Sequence, residues 1–431
     1  MVAPELSLTP IPWTMVGDGI FDCIERYPPT TPMLMLGSER SRLSLLALAW
    51  DELSAAEVLS LPLPERRLET PWPWTLGIVG LIPYDAYNPW TRTEPAPQRY
   101  FRVRKALWLD SEKREAMLAS EALALSARWQ IPEPWTIPAP AAPALRVEAG
   151  PAPQWHSSWT DGAYLDEVEE VLEEIRSGRY YQLNLLRYWQ SDRSIERPQW
   201  CRHLRRWAGP YAAYIDFDTI GCVSFSPERF VSLADQGQGA WSIHTYPIKG
   251  TRAVLDDPEG DAVQRSELAS HPKDRAELSM IIDLMRNDLQ KICRASSVRV
   301  EDPGSVQSFS NVHHLVAAIK GDLQTDLTIG DLLQALCPGG SITGAPKREV
   351  MAAIREKEGR ERGYFMGHLF YFDAFTGRCD SSIAIRTALK LPSGRWEFAA
   401  GSGLVIHSQA EEEMAEVTTK ARVVLESLGN A

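Results

Sequence analysis

One lysine in an apolar setting is the residue of this sequence with the clearest capacity for chemistry. Lys249 follows Tyr-Pro-Ile and precedes Gly250 and Thr251. An exposed lysine is almost fully protonated at neutral pH, and burial lowers the pKa of a lysine because it disfavours the charged form. The sequence therefore predicts a nucleophilic or basic amine at position 249. An ordinary ammonium in water at a strand end is the alternative.

Two pairs of acids are spaced three residues apart in segments whose apolar pattern predicts helices. Asp274 and Glu277 form the first pair, and Glu413 and Glu416 form the second. Residues at i and i+3 share a helix face, so each pair can present two carboxylates to one point. Two such helices facing each other would make an oxygen site suited to Mg²⁺. A solvated acidic face is the alternative, and the run 411–413 has that composition.

A glycine-rich segment, residues 338–347, runs into a predicted helix. Its glycines permit close backbone approach, and its exposed N–H groups would face an anion. The spacing is not that of a P-loop, so a carboxylate matches the segment better than a nucleotide does. A plain turn capped by Ser341 and Thr343 is the alternative reading.

Three further side chains have residue types suited to binding or proton transfer. Arg386 interrupts an alternating strand and could hold a carboxylate through two hydrogen bonds, or form a structural ion pair. His314 could transfer a proton, or be a hydrogen-bonded residue of the core. Glu228 could pair with Arg229, or act as a general acid where its environment raises the pKa.

The composition limits the kinds of partner. The chain of 431 residues carries a formal charge of −12, which argues against nucleic-acid and anionic-membrane partners because phosphates need a basic surface. The sequence shows no secretory-type start and no apolar run long enough to span a bilayer, which favours a soluble cytoplasmic protein. Its six cysteines are scattered without a CxxC pair and predict reduced, structural thiols.

The clearest boundary is a stretch rich in proline and alanine. Residues 131–155 contain seven prolines in 25 positions and predict an extended connection. Residues 1–130 predict a β-rich region with one amphipathic helix at 111–129. Residues 156–431 carry every candidate residue above, in blocks of strands and helices without βαβ alternation, which predicts an α+β fold with large antiparallel sheets. The helices predicted there cover 161–177, 273–293, 330–337, 345–358 and 409–428.

Taken together, these segments resemble the chorismate-utilising enzymes, a family that includes anthranilate synthase large subunits, aminodeoxychorismate synthase component I, and isochorismate and salicylate synthases. The matching stretches occur in the family's order through residues 160–428. They are YYQLNLL, SPERF, PIKGT, KDRAELSMIIDLMRNDL, VHHLV, PGGSITGAPK, DSSIAIRT, GSGLVIHSQ and EEEMAEVTTKA. The resemblance implies an anthranilate synthase-like fold, in which large antiparallel β-sheets pack as a sandwich with helices outside.

Two positions favour one branch of this family. Lys249 stands where anthranilate synthases carry alanine, and a lysine there is typical of aminodeoxychorismate synthases. Gln182 stands where isochorismate and salicylate synthases carry a lysine that activates water. The resemblance therefore implies that chorismate and ammonia give 4-amino-4-deoxychorismate, for 4-aminobenzoate and folate synthesis. An anthranilate synthase, an isochorismate-type synthase and a non-catalytic chorismate-binding relative are the alternatives.

The resemblance also implies roles for individual residues. Lys249 would be the covalent nucleophile, Glu228 the general acid, and His314 a catalytic group near the ring. The residues implied to contact chorismate are Gln182, Gly250, Thr251, Ser341, Thr343, Arg386, Gly401, Gly403 and Lys420.

One cofactor and one protein partner are implied as well. Mg²⁺ would be held by Glu277 and Glu416, with Asp274 and Glu413 in support. The sequence contains no Gly-x-Cys-x-Gly elbow followed by His-x-Glu, so ammonia would come from a separate glutamine amidotransferase subunit. In some relatives the N-terminal region binds tryptophan, for which Ser38 is a candidate contact here.

Overall fold

The computed structural model describes most of the chain. The described residues are 6–16, 20–25, 27, 31–37, 43–63, 75–88, 96–121, 126–127, 129–130, 153–217, 220–237, 239–308 and 312–425. The predicted connection at 131–155 lies almost entirely outside them, and so does Ser38. The domain boundary and the tryptophan contact therefore stay predictions.

The described residues include ten α-helices. They are α1 Trp13–Val16, α2 Ile20–Glu25, α3 Ala55–Leu59, α4 Asp161–Arg176, α5 Arg197–Trp207, α6 Pro258–Ser270, α7 Pro272–Gln290, α8 Ile329–Leu336, α9 Lys347–Glu358 and α10 Ala410–Leu425. The five helices predicted after the connection correspond to α4, α7, α8, α9 and α10. None of the described helices is long and apolar enough to cross a membrane.

Besides short 3-10 helices at Tyr84–Tyr87 and Gly340–Ile342, antiparallel strands make up most of the remaining regular structure. They are β1 Leu6–Ile11, β2 Met33–Leu36, β3 Leu43–Leu53, β4 Gly77–Ile82, β5 Arg99–Asp110, β6 Glu115–Glu121, β7 Trp129–Gln130, β8 Trp155–Ser157, β9 Gln182–Ser191, β10 Ala213–Phe217, β11 Ile220–Ser224, β12 Arg229–Gly237, β13 Ala240–Thr245, β14 Ile248–Ala253, β15 Arg299–Ser308, β16 Val312–Asp322, β17 Gly344–Ala345, β18 His368–Asp373, β19 Cys379–Ile383, β20 Thr387–Lys390 and β21 Trp396–Val405. Hydrogen bonds connect these described strands into one sheet system. The α+β class with large antiparallel sheets is therefore confirmed.

One prediction for the N-terminal region is wrong. Within the segment 111–129, which the apolar pattern predicts to be helical, the structure has the strand β6. This strand lies between β1 and β5 and pairs with both. Ala116 and Ala119 are buried there, so the pairing on two sides and the burial outweigh the high helix propensity of alanine.

Two apolar cores hold these elements together. The larger lies between strands and helices and includes the buried face of α4. The second is enclosed by strands, and in it the rings of Phe101 and Phe217 meet edge to face with centroids 5.1 Å apart. Strands from the beginning of the chain pair with later ones, β2 with β10 and β4 with β18. The N-terminal strands therefore support the region that carries the candidate residues.

Three pairings of elements position the candidate site. β9 pairs with β21 along its length, and α10 packs against β21. β14 pairs with β16, and α7 packs against both. The start of α7 is set by His271, whose Nδ1 accepts a hydrogen bond from the backbone N–H of Asp274 at 3.3 Å, and by Pro272 in the first turn. Helix α7 thus lies on the strand that carries Lys249, and α10 lies on β21, which pairs with the strand that carries Gln182.

Candidate active site

A bulge in β14 sets the position of Lys249. The register of β14 on β16 shifts between Lys249 and Thr251, and Gly250 lies between them with a φ of +66°. A Cβ at Gly250 would lie 2.6 Å from Leu268 and 2.8 Å from the carboxyl carbon of Asp274. Only glycine fits this conformation and this space. The Nζ of the largely buried Lys249 lies 3.4 Å from Glu277.

Glycines in β21 leave space on the other side of this amine. A Cβ at Gly403 would lie 3.0 Å from Nε2 of Gln182 and 3.5 Å from Nζ of Lys249. Gln182 is fully buried, and neither its amide oxygen nor its amide nitrogen has a partner within the described residues. A buried polar group without a partner is costly. The arrangement therefore indicates that a ligand completes the hydrogen bonding of Gln182.

The carboxyl group of Glu228 is buried beside the same space. Burial raises its pKa to about 7. The charge of Lys249 and a hydrogen bond that Ser341 donates at 3.3 Å both oppose this rise. The charges of Lys420 and Arg386 oppose it as well. Glu228 can therefore exchange a proton near neutral pH, which is the property that a general acid needs.

The side chain of Arg386 is partly buried. Its φ is +51°, and its side chain forms no ion pair within the described part of the chain. Burial lowers the pKa of Arg386, and the charge of Glu228 opposes that effect. A partly buried guanidinium without an ion pair has the geometry to hold a carboxylate with two hydrogen bonds. Its surroundings favour the anion-binding role over the structural ion pair.

The acids of α7 and α10 lie together, and each one that faces the site is paired with a lysine. Lys273 donates to Oε1 of Glu413 at 3.0 Å. Lys420 lies 2.6 Å from Glu416 and also donates to the carbonyl of residue 401 at 2.9 Å. Glu277 contacts the amine of Lys249, as described above. Three carboxylates and three ammonium groups therefore surround one region between the two helices.

The carboxylates of this region are of the ligand type that a divalent cation needs. Burial raises the pKa of Glu277, and the charges of Glu413 and Glu416 raise it further. A metal ion would relieve this repulsion, and carboxylates are the ligands that Mg²⁺ prefers. The described side chains do not form a closed cage, since no three His, Cys, Asp or Glu among them are arranged to hold a metal. Asp274 lies 2.9 Å from His271 and 3.5 Å from Arg252 instead, so its supporting role stays a prediction.

The remaining candidates lie at the edges of this region. Nδ1 of His314 lies 3.0 Å from the hydroxyl of Thr251 and 3.2 Å from the carbonyl of Gly250. Burial lowers the pKa of His314, which favours the neutral imidazole. The hydroxyl of Thr343 lies 3.0 Å and 3.1 Å from the carbonyl oxygens of residues 339 and 340. Thr343 therefore stabilises its own turn, and its contact with chorismate stays a prediction.

Two residues of the site were not predicted from the sequence. Asn184 is buried, its Nδ2 donates to the carbonyl of Ser402 at 3.3 Å, and its Oδ1 has no partner among the described residues. Its place two residues after Gln182 in one strand puts both amides on the same face, which is a signal that the sequence contained. Lys273 was missed although it lies four residues before Glu277, the spacing of neighbours on a helix.

The sequence and the fold have known relatives. The chain matches the family of chorismate binding enzymes over residues 35–426. It is 40% identical to aminodeoxychorismate synthase component 1 of Klebsiella aerogenes over 275 residues, which are 64% of this chain and 59% of that protein. It is 33% identical to aminodeoxychorismate synthase of Streptomyces griseus over 383 residues, which are 84% of this chain and 51% of that protein. The chain thus spans little more than half the length of these curated relatives.

The fold is that of a solved relative. The crystal structure of anthranilate synthase component I from Streptococcus pneumoniae TIGR4 matches with a TM-score of 0.72 and 24% identity, over 89% of this chain and 92% of that one. This likeness confirms the predicted anthranilate synthase-like fold. The family match covers most of the chain and includes every candidate residue named above. The chain belongs to the family of chorismate binding enzymes.

Proposed function

We propose that this protein converts chorismate and ammonia to 4-amino-4-deoxychorismate, as the first component of an aminodeoxychorismate synthase. One observation carries the proposal: the amine of Lys249 and the unpaired amide of Gln182 both lie beside Gly403. The charge of the same lysine acts on the pKa of the buried acid Glu228. A lysine and a glutamine at these positions distinguish this branch of the family from those that add ammonia or water at C2. The 40% identity to the Klebsiella aerogenes protein supports the same activity.

Chorismate carries two carboxylates, and the site has two places for them. Arg386, which has no ion pair within the described residues, is the partner of the enolpyruvyl carboxylate. The backbone of residues 401–403 borders the same space. Glu277 and Glu416 would hold the magnesium ion, and the ring carboxylate would lie on their side of the site. Magnesium bound there supplies positive charge that holds the ring carboxylate and draws electron density from the ring.

The first chemical step is the displacement of the 4-hydroxyl group. Lys249, as the free amine, forms a bond to C2 of the ring, the two ring double bonds shift towards C4, and the C4–O bond breaks. Glu228 gives its proton to the departing oxygen, which leaves as water. The pKa of about 7 for Glu228 provides a protonated carboxyl in the neutral range.

The second step exchanges the lysine for ammonia. Ammonia attacks C4, the double bonds return to their original positions, and the C2–N bond to Lys249 breaks. Two allylic displacements give retention at C4, which is the benefit of the covalent intermediate. A glutamine amidotransferase subunit is the proposed source of ammonia, a partner that the "component 1" in the relatives' names supports.

The experiment is a product analysis with chorismate, Mg²⁺ and ammonium at mildly basic pH. We expect chorismate to be consumed, a product with the mass of aminodeoxychorismate to form, and no pyruvate to be released. Stoichiometric pyruvate with a fluorescent aromatic product would show an anthranilate synthase instead. No turnover with ammonium, or with an added amidotransferase and glutamine, would favour a non-catalytic chorismate-binding protein.

A further inference from the structure

The loop of residues 338–343 brings Ser341 to Glu228, and side chains from outside the loop hold it. Lys347, at the start of α9, donates to the carbonyl oxygen of Pro338 at 2.9 Å. The same ammonium forms an ion pair with Asp288 of α7. The ammonium of Lys347 therefore ties the beginning of the loop to the helix that also carries Glu277.

Two more side chains hold the loop further along. The backbone N–H of Gly339 donates to Nε2 of His368 at 3.2 Å, and the imidazole stacks on Phe230 with a centroid distance of 4.0 Å. Arg362 is fully buried and donates to the carbonyl of Ile342 at 2.9 Å. The loop is thus fixed on both sides of Ser341.

The pair of Lys347 and Asp288 is the unusual part of this arrangement. Asp288 is 1% exposed and also accepts from Lys291 at 2.8 Å. Burial lowers the pKa of Lys347, and Asp288 opposes that effect. Buried ion pairs contribute little net stability, because desolvation offsets the attraction, but they can define one arrangement of the chain. Here the arrangement defined is the position of a loop that contacts the proposed general acid.

We propose that Lys347 is a positioning residue for the amination of chorismate: together with Asp288 it fixes the Pro338 carbonyl and so holds Ser341 at hydrogen-bond distance from Glu228. This inference rests on the proposed function of Glu228. Lys347 itself does not touch the reacting atoms in this scheme. It acts through the loop.

The role has a consequence for the pH profile. The charged groups that face Glu228 are Lys249 of β14, Lys420 of α10 and Arg386 before β20. The hydrogen bond from Ser341 adds to them and lowers the pKa of Glu228. When the loop moves, this hydrogen bond is lost and the pKa of Glu228 rises. Since the acid must be protonated, the alkaline limb of kcat/KM then moves to higher pH.

The test compares Lys347→Met with a matched variant, Lys357→Met. Lys357 lies on the same helix with a 6% exposed side chain and pairs with Glu167, Glu170 and Glu174 away from the loop. The profile of kcat/KM for chorismate is measured at a constant concentration of free ammonia. We expect Lys347→Met to move the alkaline limb up by roughly half to one pH unit, the equivalent of one hydrogen bond, and Lys357→Met to leave it in place.

Asp288→Ala distinguishes two effects on the pKa of Glu228, namely the position of the loop and the direct effect of a removed charge. Loss of a negative charge alone would lower the pKa of Glu228, whereas loss of the anchor for Lys347 raises it. The positioning role therefore predicts an upward shift in Asp288→Ala as well as in Lys347→Met. Lys347→Gln, which keeps a donor for the Pro338 carbonyl, is expected to shift the limb less and serves where the Met variant does not fold.

A Ser341→Ala background completes the experiment. If Lys347 acts through Ser341, then Lys347→Met adds no further shift in that background. Opposite shifts in Asp288→Ala and Lys347→Met, an unchanged limb in a folded Lys347 variant, or a full additional shift in the Ser341→Ala background would each overturn the inference. Failure of the unmodified protein to aminate chorismate would instead overturn the proposed function.

Discussion

The amine of Lys249 lies 3.4 Å from a carboxylate oxygen of Glu277, so a proposed metal ligand is also the ion-pair partner of the proposed nucleophile. Both side chains are largely buried, at 15% and 14% exposure. A carboxylate that ligates a cation has less negative charge to offer an ammonium. Occupation of the metal site would therefore weaken the ion pair between Glu277 and Lys249. The metal and the nucleophile are coupled through Glu277.

Lys249→Ala should abolish covalent attachment of the substrate. In the proposed scheme the adduct forms before ammonia enters, so incubation with chorismate and Mg²⁺ alone is expected to add the mass of chorismate less water. Intact-mass spectrometry measures this addition. The variant should also lose at least about 1000-fold in turnover with ammonium, as expected when a nucleophile is removed.

Lys390→Ala is the matched control for this variant. Lys390 is 38% exposed and pairs with Asp216 at 3.1 Å, in β20 away from the acids of α7 and α10. It should keep the adduct and the activity. An adduct of the same mass on the Lys249→Ala protein would show that another residue is the nucleophile.

Glu228→Gln should reduce activity while it stabilises the protein at alkaline pH. The pKa of Glu228 is raised from 4.5 to about 7 by burial, so its contribution to stability is present at low pH and is lost as the pH rises through 7. At pH 8 the ionised carboxylate destabilises the wild type by about 3 kcal/mol. Glutamine removes that loss, and the missing proton donor should slow turnover by about 10²- to 10⁴-fold.

Urea unfolding at pH 5 and pH 8 measures the effect of this substitution on stability. The free energy of unfolding of Glu228→Gln should exceed that of the wild type at pH 8 by clearly more than it does at pH 5. Glu411→Gln, an exposed acid in the first turn of α10, should show no such pH-dependent gain. An equal difference at the two pH values would mean that the carboxyl of Glu228 is not buried in this way.

Local patterns in the sequence were sufficient for much of the site. The three-residue spacing of Asp274 and Glu277 indicated a shared helix face, and α7 has it. The apolar pattern of residues 161–177 predicted a helix, and α4 covers Asp161–Arg176. These features depend on neighbours within about one turn of a helix or strand, which is the range over which sequence patterns are informative.

Contacts between segments that are distant in the chain could not be predicted from local sequence patterns. Asp274 was grouped with Glu277 by spacing, yet its partner Arg252 lies on β14, and only the packing of α7 on that strand sets this contact. The pairing of Asn184 with Gly403 depends on the register of β9 on β21. The strand β6 depends on β1 and β5. In each case the deciding partner is far away in the chain.

Arg386→Lys should weaken chorismate binding much more than it slows the chemical step. The guanidinium of Arg386 has no ion pair within the described residues, so the substrate carboxylate would be its main partner, and lysine cannot make the same pair of parallel hydrogen bonds. We expect KM for chorismate to rise by roughly 10- to 100-fold, from the loss of about 1.5–3 kcal/mol in a charged hydrogen bond. Steady-state kinetics and calorimetric titration measure the two effects separately.

Arg360→Lys provides the control for this substitution. Arg360 makes two hydrogen bonds to Glu397, at 2.8 Å and 2.9 Å, outside the candidate site. Its replacement should leave KM for chorismate unchanged. A rise in KM confined to Arg360→Lys, with a normal value in Arg386→Lys, would contradict the assignment of the carboxylate to Arg386.

Magnesium should bind to the acids between α7 and α10 and stabilise the fold without substrate. At a concentration 100 times its Kd, a ligand that binds only the native state adds about 2.7 kcal/mol to the free energy of unfolding. Glu277→Gln should lose most of this gain because the repulsion from Glu413 and Glu416 that raises its pKa is then absent and one ligand is removed. Calorimetric titration with Mg²⁺ and thermal unfolding with and without the metal measure the effect.

Two further variants decide which acids take part in metal binding. Glu412→Gln changes an exposed acid next to Glu413 in the chain and should keep the full response to Mg²⁺. Asp274→Asn should retain most of the response, because Asp274 lies against His271 and Arg252. A loss in Asp274→Asn as large as that in Glu277→Gln would show that Asp274 leaves those partners and joins the ligands when the metal binds. Equal responses of all three variants and the wild type would place the metal elsewhere, since Glu277 contacts Lys249 and lies near the acids of α10.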